Sequence, residues 1–559
     1  VTAAAGIQFQ YGIGVPALPA GPQSEVDEST YGGVASGDCD RDGDVDLFVT
    51  YSDSRANRLY RNQRVESGTL TFLDSATGAN VAFTRSVPLS QNWRHSGPVF
   101  VDLDGDGDLD LFLGALYDGD PVKVYSNIGN CTFTDATAAS GLAGLLADYT
   151  FSAGFGDYDL DGDLDMVMSH WGTPDSVYTG VGGRAAFSEI LWRNVSTGPG
   201  AIQFEPASQS SGVTAITYEP RTWGTAGSRC PAFVQPGFQF HDFIFTGSFA
   251  DLNNDGWPDL LLVGDFKTSQ ILLNNGNGTF SDASPTSICD VQQPMGSALG
   301  DYDHDGDLDW FATSIRVEGN ASAIGNRFFR NDGVAAGDVV MTDVTNALGV
   351  APGGWGWGAC LLDADNDADL DIFHTNGWYT TVAGVNFTVD PSRMFVFNGT
   401  SFDERSSTYG LNDTLSGRGV VCSDLDNDGD VDILQTSNAA NSGLLRENRT
   451  AANGMNHLKL QLTGVARNTD AAGARIYLRI GTRTQLREVS VGSDNYTSQN
   501  PTVQHFGIGT AAQVDEIRIV WPRGPGGTVQ TPDTVLSNVT PVNRTIACTQ
   551  ATATPTTCP

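Results

Sequence analysis

Positive charge is scarce in this chain. Lys and Arg number 30 against 66 Asp and Glu, and the formal charge is −36. A surface of that sign repels a phosphate backbone, which excludes nucleic acid as a partner. No apolar run reaches the length of a membrane-spanning helix, and helical periodicity is nearly absent. The eight cysteines contain no C-x-x-C pair. That removes the usual zinc spacings and points to disulfides in an oxidising compartment. There is no H-E-x-x-H, no P-loop and no Rossmann glycine pattern. The histidines, His95, His170, His241, His304, His374, His457 and His505, are scattered. No catalytic constellation is visible, and an enzyme is not expected. The chain begins at Val1 rather than Met, as a secreted protein does once its signal is removed.

What is abundant is aspartate at alternate positions. Asp38, Asp40, Asp42, Asp44 and Asp46 form the first of seven nine-residue stretches. The second is Asp102, Asp104, Asp106, Asp108 and Asp110; the third is Asp157, Asp159, Asp161, Asp163 and Asp165. The fourth departs, with Asp251, Asn253, Asp255, Trp257 and Asp259. The fifth is Asp301, Asp303, Asp305, Asp307 and Asp309; the sixth is Asp363, Asp365, Asp367, Asp369 and Asp371; the seventh is Asp424, Asp426, Asp428, Asp430 and Asp432. Together they hold 33 of the 66 acidic residues. Carboxylates so crowded repel one another, and a hard divalent cation relieves that strain. Calcium takes six to eight oxygens at flexible angles. Positions 1, 3, 5 and 9 offer side chains and position 7 its carbonyl, with up to seven ions in all. Gly at position 6 permits the sharp turn.

The first half of this pattern is shared with the EF-hand. That motif needs a bidentate Glu at position 12 and helical flanks. Position 12 here is Val49, Leu113, Met168, Leu262, Ala312, His374 and Gln435 in turn, none of them a carboxylate. The flanks are β-branched, aromatic and Gly-rich. The last ligand is therefore the Asp at position 9, in a strand-loop-strand unit.

With the Gly-rich lead-ins Gly32-Gly33, Gly154-Phe155-Gly156 and Gly354-Trp355-Gly356, the loops resemble FG-GAP (VCBS-type) repeats. The resemblance implies the calcium-loop blades of an integrin α-like β-propeller over about 1–450. Each unit has a Gly-rich strand, the acidic loop, an apolar strand and a third strand ending near an Asn: Asn62, Asn127, Asn194, Asn274, Asn331 or Asn398. A fourth strand carries Phe72, Phe133, Phe204, Phe280, Met341 or Phe402. Four strands repeated radially describe a propeller. Loop four, with three carboxylates, should bind calcium more weakly. Loop six has Ala368 for Gly, and a Cβ is disfavoured in a left-handed turn, so distortion is expected there.

Between Phe204 and the fourth loop the chain detours through 206–245, with Tyr218, Pro220, Trp223, Cys230, Pro231, Pro236 and His241. Long loops on a rigid scaffold often carry recognition. The detour could equally be a Cys-tied packing segment. Eleven Asn-x-Ser/Thr triplets, at Asn130, Asn194, Asn277, Asn320, Asn386, Asn398, Asn412, Asn448, Asn495, Asn538 and Asn543, offer glycosylation sites. The sequence does not choose among the 105 pairings of eight cysteines, with Cys548 and Cys558 the natural local pair.

After Asn448 alternating strands continue without acidic loops. Gly473-Ala474, Gln485-Leu-Arg-Glu-Val489, Tyr496-Thr-Ser-Gln499, His505-Phe-Gly-Ile-Gly509 and Trp521-Pro522 resemble the ASPIC/UnbV domain. That domain follows such propellers in the cartilage acidic protein family and its bacterial relatives. The expected fold is all-β: a seven-bladed β-propeller with calcium loops plus a C-terminal β-sandwich-like domain. The expected boundaries are an N-terminal arm 1–30, the propeller 31–452, the β domain 453–547 and a flexible Thr/Pro tail 548–559. A strand over 6–12, with Phe9 as its aromatic, should complete the seventh unit or be donated to a neighbouring subunit. The expected function is a secreted, extracellular calcium-binding scaffold for adhesion, matrix or surface assembly, with protein or glycan partners. Its rivals are a carbohydrate-binding or carbohydrate-active protein using the detour, and a filament subunit self-associating through the N-terminal strand.

Overall fold

The structure is a computed structural model of the chain. It describes residues 5–7, 32–50, 56–82, 95–115, 122–143, 150–171, 190–214, 243–437, 443–446, 454–551 and 558, apart from single positions at 266, 322, 466, 494 and 530. The detour residues from Tyr218 to His241 fall outside them, as do residues 8–12.

Each acidic stretch becomes a loop between two antiparallel strands because its ninth residue opens the second strand. Asp46 pairs with Gly37, Asp165 with Gly156 and Asp309 with Gly300. Six sheets follow as four-stranded meanders. The first is Val34–Gly37, Asp46–Val49, Arg58–Asn62 and Phe72–Asp74; the second is His95–Val101, Asp110–Ala115, Lys123–Asn127 and Phe133–Asp135. The third is Ala153–Gly156, Asp165–Met168, Leu191–Asn194 and Phe204–Pro206; the fourth is Ile244–Ala250, Asp259–Gly264, Gln270–Asn274 and Phe280–Asp282. The fifth is Ser297–Gly300, Asp309–Ala312, Arg327–Ala335 and Asp338–Asp343; the sixth is Gly356–Leu362, Asp371–Asn376, Arg393–Phe397 and Phe402–Glu404. The seventh has three strands among the described residues, Gly417–Ser423, Asp432–Ser437 and Gly443–Arg446.

Among the described residues no sheet of the ring has a core of its own. The buried apolar clusters lie between consecutive sheets: Phe48 with Phe100, Phe112 with Phe155, Leu191 with Leu260, Leu261 with Trp310, Phe328 with Phe395, Phe373 with Val420. A sheet buried on both faces needs both neighbours, which is the logic of a repeat array. The Asn ending the third strand fastens each pair. Asn127 Nδ2 donates to Leu109 O of its own loop (3.0 Å) and to Cys39 O of the preceding loop (3.1 Å). Asn194, Asn274 and Asn331 repeat this two-way contact. Asn62 reaches Leu425 O of the seventh loop at 3.0 Å, so the last unit packs back on the first and the array is a propeller-like ring. In the sixth unit the latch position is Phe397, whose ring meets Tyr302 of the preceding loop edge-on. Asn398 instead caps the turn, accepting from Thr400 N.

The C-terminal part packs a three-stranded sheet, Asn456–Thr463, Gln504–Gly509 and Thr545–Thr549, against a four-stranded one, Arg475–Ile480, Arg483–Glu488, Val514–Val520 and Thr534–Val539. One connection within it enters the ring. Val491–Gly492 pairs with Ala153–Gly156, and Ser498–Gln499 pairs with Val34–Gly37. Tyr496, fully buried, meets Phe151, Phe245 and Trp357 at ring distances of 5.9, 5.7 and 5.1 Å. The Gln499 amide accepts from Phe100 N and donates to Phe100 O, both at 2.7 Å.

Disulfides join neighbouring units: Cys39–Cys131 links the first to the second and Cys360–Cys422 the sixth to the seventh, while Cys548–Cys558 closes the tail. Cys289 is also disulfide-bonded, to a partner outside the described residues. Two of the Asn-x-Ser/Thr triplets are unsuited to glycosylation. Asn194 and Asn495 are buried, and their amide nitrogens donate to main-chain carbonyls within the fold.

At the other terminus Ala5 and Ile7 are buried and Gly6 turns the chain at φ +79°. Phe72 N donates to Ala5 O at 2.8 Å. In the next units Phe133, Phe204 and Phe280 donate in the same way to Ala79, Ser140 and Ser211 of the preceding unit. Ala5–Ile7 thus stand beside the first sheet where the segment following an outer strand stands elsewhere. Ile7→Ala should lower stability by about 2–5 kcal/mol through the cavity it opens, measured by thermal unfolding. An unchanged melting temperature would show that the N-terminal segment does not hold the ring.

Candidate metal-binding loops

The loops share one hydrogen-bond scheme that follows from the spacing of their acids. The first carboxylate turns inward, and in loops one, four, six and seven it accepts from the backbone of positions 5 and 6: Asp42 N to Asp38 Oδ1 at 3.1 Å and Gly43 N to Asp38 Oδ2 at 2.9 Å in the first. The fifth accepts from position 7, as in Asp44 N to Asp42 Oδ1 at 2.9 Å. The ninth is a clamp. Asp46, wholly buried, takes Cys39 N on Oδ2 and Asn62 N on Oδ1, and Asp110, Asp165, Asp259, Asp309 and Asp371 do the same in their units. Asp432 takes Leu425 N.

Two positions turn left-handed. Position 6 does so as expected, and Ala368 adopts φ +81° there. Loop six is nonetheless not distorted: Ala368 N donates to Asp363 Oδ2 at 2.9 Å and Asp369 N to Asp367 Oδ1 at 2.9 Å. Position 4 is the second, and the sequence motif does not mark it. Arg41, Leu160, Asn254, His304, Asn366 and Asn427 all have φ between 56° and 63°, with Gly105 at 76°.

That turn throws the position-4 side chain toward position 7 of the next loop. Arg41 meets Asp108 at 3.3 Å, His304 meets Asp369 at 3.2 Å, Asn366 meets Asp430 at 2.9 Å, Asn254 meets Asp307, and Asn427 meets Asp44 at 3.2 Å across the junction of last and first units. Gly105 has no side chain to offer, and a Cβ there would touch Arg467, which reaches in from the C-terminal part to Asp163 at 2.6 Å. Where position 7 is Trp257, position 4 before it is Leu160. The seventh-position side chains therefore link neighbouring loops at five of the seven junctions.

Groups of carboxylates within reach of one ion include Asp38, Asp40 and Asp42; Asp102, Asp104 and Asp110; and Asp157, Asp159 and Asp165. Glu66, on the short helix Arg64–Ser67, joins Asp42 and Asp44 in a further group. It lies outside the nine-residue pattern, so no spacing rule points to it. Asp42 Oδ2, Asp157 Oδ1 and Asp301 Oδ2 are buried and accept no hydrogen bond. A buried carboxylate oxygen without a donor is costly unless a cation supplies the missing partner, so these residues fit a hard cation. Burial pushes Asp38 and Asp301 up to about 6 and Asp363 up to about 7, with repulsion from Asp42, Asp305 and Asp367 respectively adding to it.

The C-terminal part lies against the loops. Thr469 Oγ1 donates to Asp102 Oδ2, and Asp470 Oδ2 accepts from Asp102 N at 3.0 Å. Glu488 accepts from Asp251 N at 3.1 Å. Arg483 ion-pairs with Asp369 beside His304.

Residues 38–113, 102–168 and 251–312 match the FG-GAP-like repeat, and residues 464–555 match ASPIC and UnbV. Cartilage acidic protein 1 of Mus musculus is 26% identical over 293 residues, 50% of this chain and 41% of that protein. The Homo sapiens protein is 26% identical over 299 residues, 50% of this chain and 40% of that protein. The chain thus covers about two-fifths of the length of these relatives. Among solved structures, a triple arginine-to-alanine mutant of AofleA from Arthrobotrys oligospora aligns over 67% of this chain and 85% of its own, at 12% identity and a TM-score of 0.31. A thermostable family-43 glycoside hydrolase aligns over 70% and 96%, at 11% identity and a TM-score of 0.26.

Acids whose folded pKa lies above the unfolded value stabilise the fold fully below the unfolded pKa and lose that contribution as pH rises through the folded one. For Asp38, Asp301 and Asp363 that window runs from about 4 to about 7. In EDTA the melting temperature should therefore fall as pH rises across it. With saturating calcium, which needs the ionised form, the fall should vanish or reverse. Parallel curves with and without calcium would contradict the assignment of these acids to a cation.

Proposed function

From a chain that carries FG-GAP-like repeats ahead of an ASPIC and UnbV domain, we propose a secreted scaffold of the adhesion type, made rigid by calcium and presenting its ring to protein partners outside the cell. The observation that carries this reading is the set of register-matched acidic loops, whose buried carboxylate oxygens lack donors at Asp42, Asp157 and Asp301. Positions 1, 3, 5 and 9 would hold the ion through side chains and position 7 through its carbonyl. Calcium supplies charge neutralisation and cross-linking there; the chain supplies the pre-turned loops. Inter-unit disulfides favour an oxidising compartment. Among the described residues no helix is long and apolar enough to cross a membrane. The named relatives are cartilage acidic proteins, which agrees with an extracellular setting.

Calcium bound by the native state alone stabilises by about 2.7 kcal/mol per site at a hundredfold excess over Kd. Melting in calcium and in EDTA, with elemental analysis of the dialysed protein, tests the reading directly. A large calcium-dependent rise is expected, and an EDTA-indifferent protein without metal overturns it. Asp42→Ala, which removes a charged ligand beside two other acids, should lower the melting temperature in calcium more than Asn253→Ala in the acid-poor fourth loop. The reverse order would show that affinity here does not follow ligand charge.

A further inference from the structure

The loops are not equivalent, and what separates them is whether a cation built into the chain sits on the first carboxylate. Lys459 is nearly buried, on the strand Asn456–Thr463 between Gln504–Gly509 and Thr545–Thr549. Its ammonium lies 2.7 Å from Asp424 Oδ2, at position 1 of loop seven, and 2.8 Å from Asn427 Oδ1, at position 4. A lysine is seldom buried unless it is paired, and here its partner is a would-be metal ligand. Loop four has a similar visitor. Arg475 places Nη1 3.7 Å from Asp251 Oδ2 and donates from Nη2 to Asp251 O at 2.6 Å, where only three carboxylates are present.

Loops one, three and five differ at that first carboxylate, although Arg61 pairs with Asp40, Arg193 with Asp159 at 3.9 Å and Arg467 with Asp163 away from it. Among the described residues no Lys or Arg comes within ion-pair distance of Asp38, Asp157 or Asp301, and each of these loops keeps a buried carboxylate oxygen without a donor. Among the same residues, loops four and seven have no such oxygen; loop two has none either, but there the neutral hydroxyl of Thr469, not a cation, meets the first carboxylate. An ammonium and a divalent ion sharing one carboxylate repel each other, so the side chain and calcium compete for the loop.

We propose that Lys459 closes loop seven and Arg475 closes loop four in place of calcium, and that the metal is confined to the other loops. The assignment rests on the calcium reading above. The C-terminal part thereby acquires a definite role. It sets a fixed cation on the first carboxylate of the two loops it closes, whereas its Arg467 and Arg483 meet carboxylates of loops three and six only at position 7. Bound calcium is then fewer than one per loop.

Lys459 is the cleaner test, because Arg475 also pairs with Glu488. Lys459→Met and Lys459→Arg would be dialysed against limiting free calcium and bound metal counted by elemental analysis, with melting followed in calcium and in EDTA. Lys459→Met should bind one calcium more per chain than the wild type, and Lys459→Arg should not. Lys459→Met should also melt lower than wild type in EDTA, with most of the loss restored by calcium. Unchanged or reduced calcium binding in Lys459→Met overturns the assignment, as does a deficit that calcium leaves untouched or a variant that folds in neither condition. If the wild type itself binds no calcium and ignores EDTA, the calcium reading fails instead.

Discussion

Like charges held close in a half-dry place are the constraint this molecule is built around. Two carboxylates about 4 Å apart repel by roughly 4 kcal/mol at the screening typical near a protein surface. A backbone N–H donated to a carboxylate returns about 1.5–3 kcal/mol. The loops use such donors throughout, two on Asp38 and two on Asp46. They still leave buried oxygens over at Asp42 and Asp157. Hydrogen bonding shapes each loop without balancing it, and positive charge must arrive from elsewhere. It comes as a diffusible ion or as a side chain, either from the ring itself, as with Arg41 on Asp108, or carried in by the C-terminal part.

Because the ninth carboxylate both begins a strand and holds its neighbour, loop and sheet cannot form separately. The same coupling continues sideways. Asn127 ties its loop to Cys39 of the one before, and Asn427 ties the last loop to Asp44 of the first. Each unit is completed by the next, so stability is shared through nearest neighbours as in other repeat arrays. A closed ring removes the exposed ends at which such an array would otherwise fray.

The repeat was legible because its signal is local. An aspartate at position 9 and alternating apolar residues after it are enough to place loop and strand. The third-strand Asn was legible as a turn residue but not as a latch, since the carbonyl it seeks lies in another unit. In the sixth unit the pattern pointed to Asn398, whereas the latch position is Phe397, where a ring contact with Tyr302 replaces the amide. The left-handed fourth position was partly readable. Gly105, Asn254, Asn366 and Asn427 are residue types that tolerate it, but Arg41, Leu160 and His304 hide the rule. Ala368 misled in the other direction, because a loop held by several backbone donors absorbs one unfavourable φ. Contacts from Lys459, Thr469 and Arg475 to the loops were beyond reach, for no local pattern links residues so far apart in the chain.

The connection that carries Tyr496 into the ring also sets an order of events. Ser36 in the first sheet donates to Gln499 O, a partner 463 residues later. During synthesis the first inner strand waits with an unfinished edge until nearly everything downstream exists. Pairings of such long range are slow to form and leave sticky edges exposed meanwhile. The first sheet is therefore not complete when its own four strands have paired. A finished centre is instead a record that translation has run at least as far as Gln499, so chains broken off earlier differ from complete ones at the inner edge of their oldest sheet.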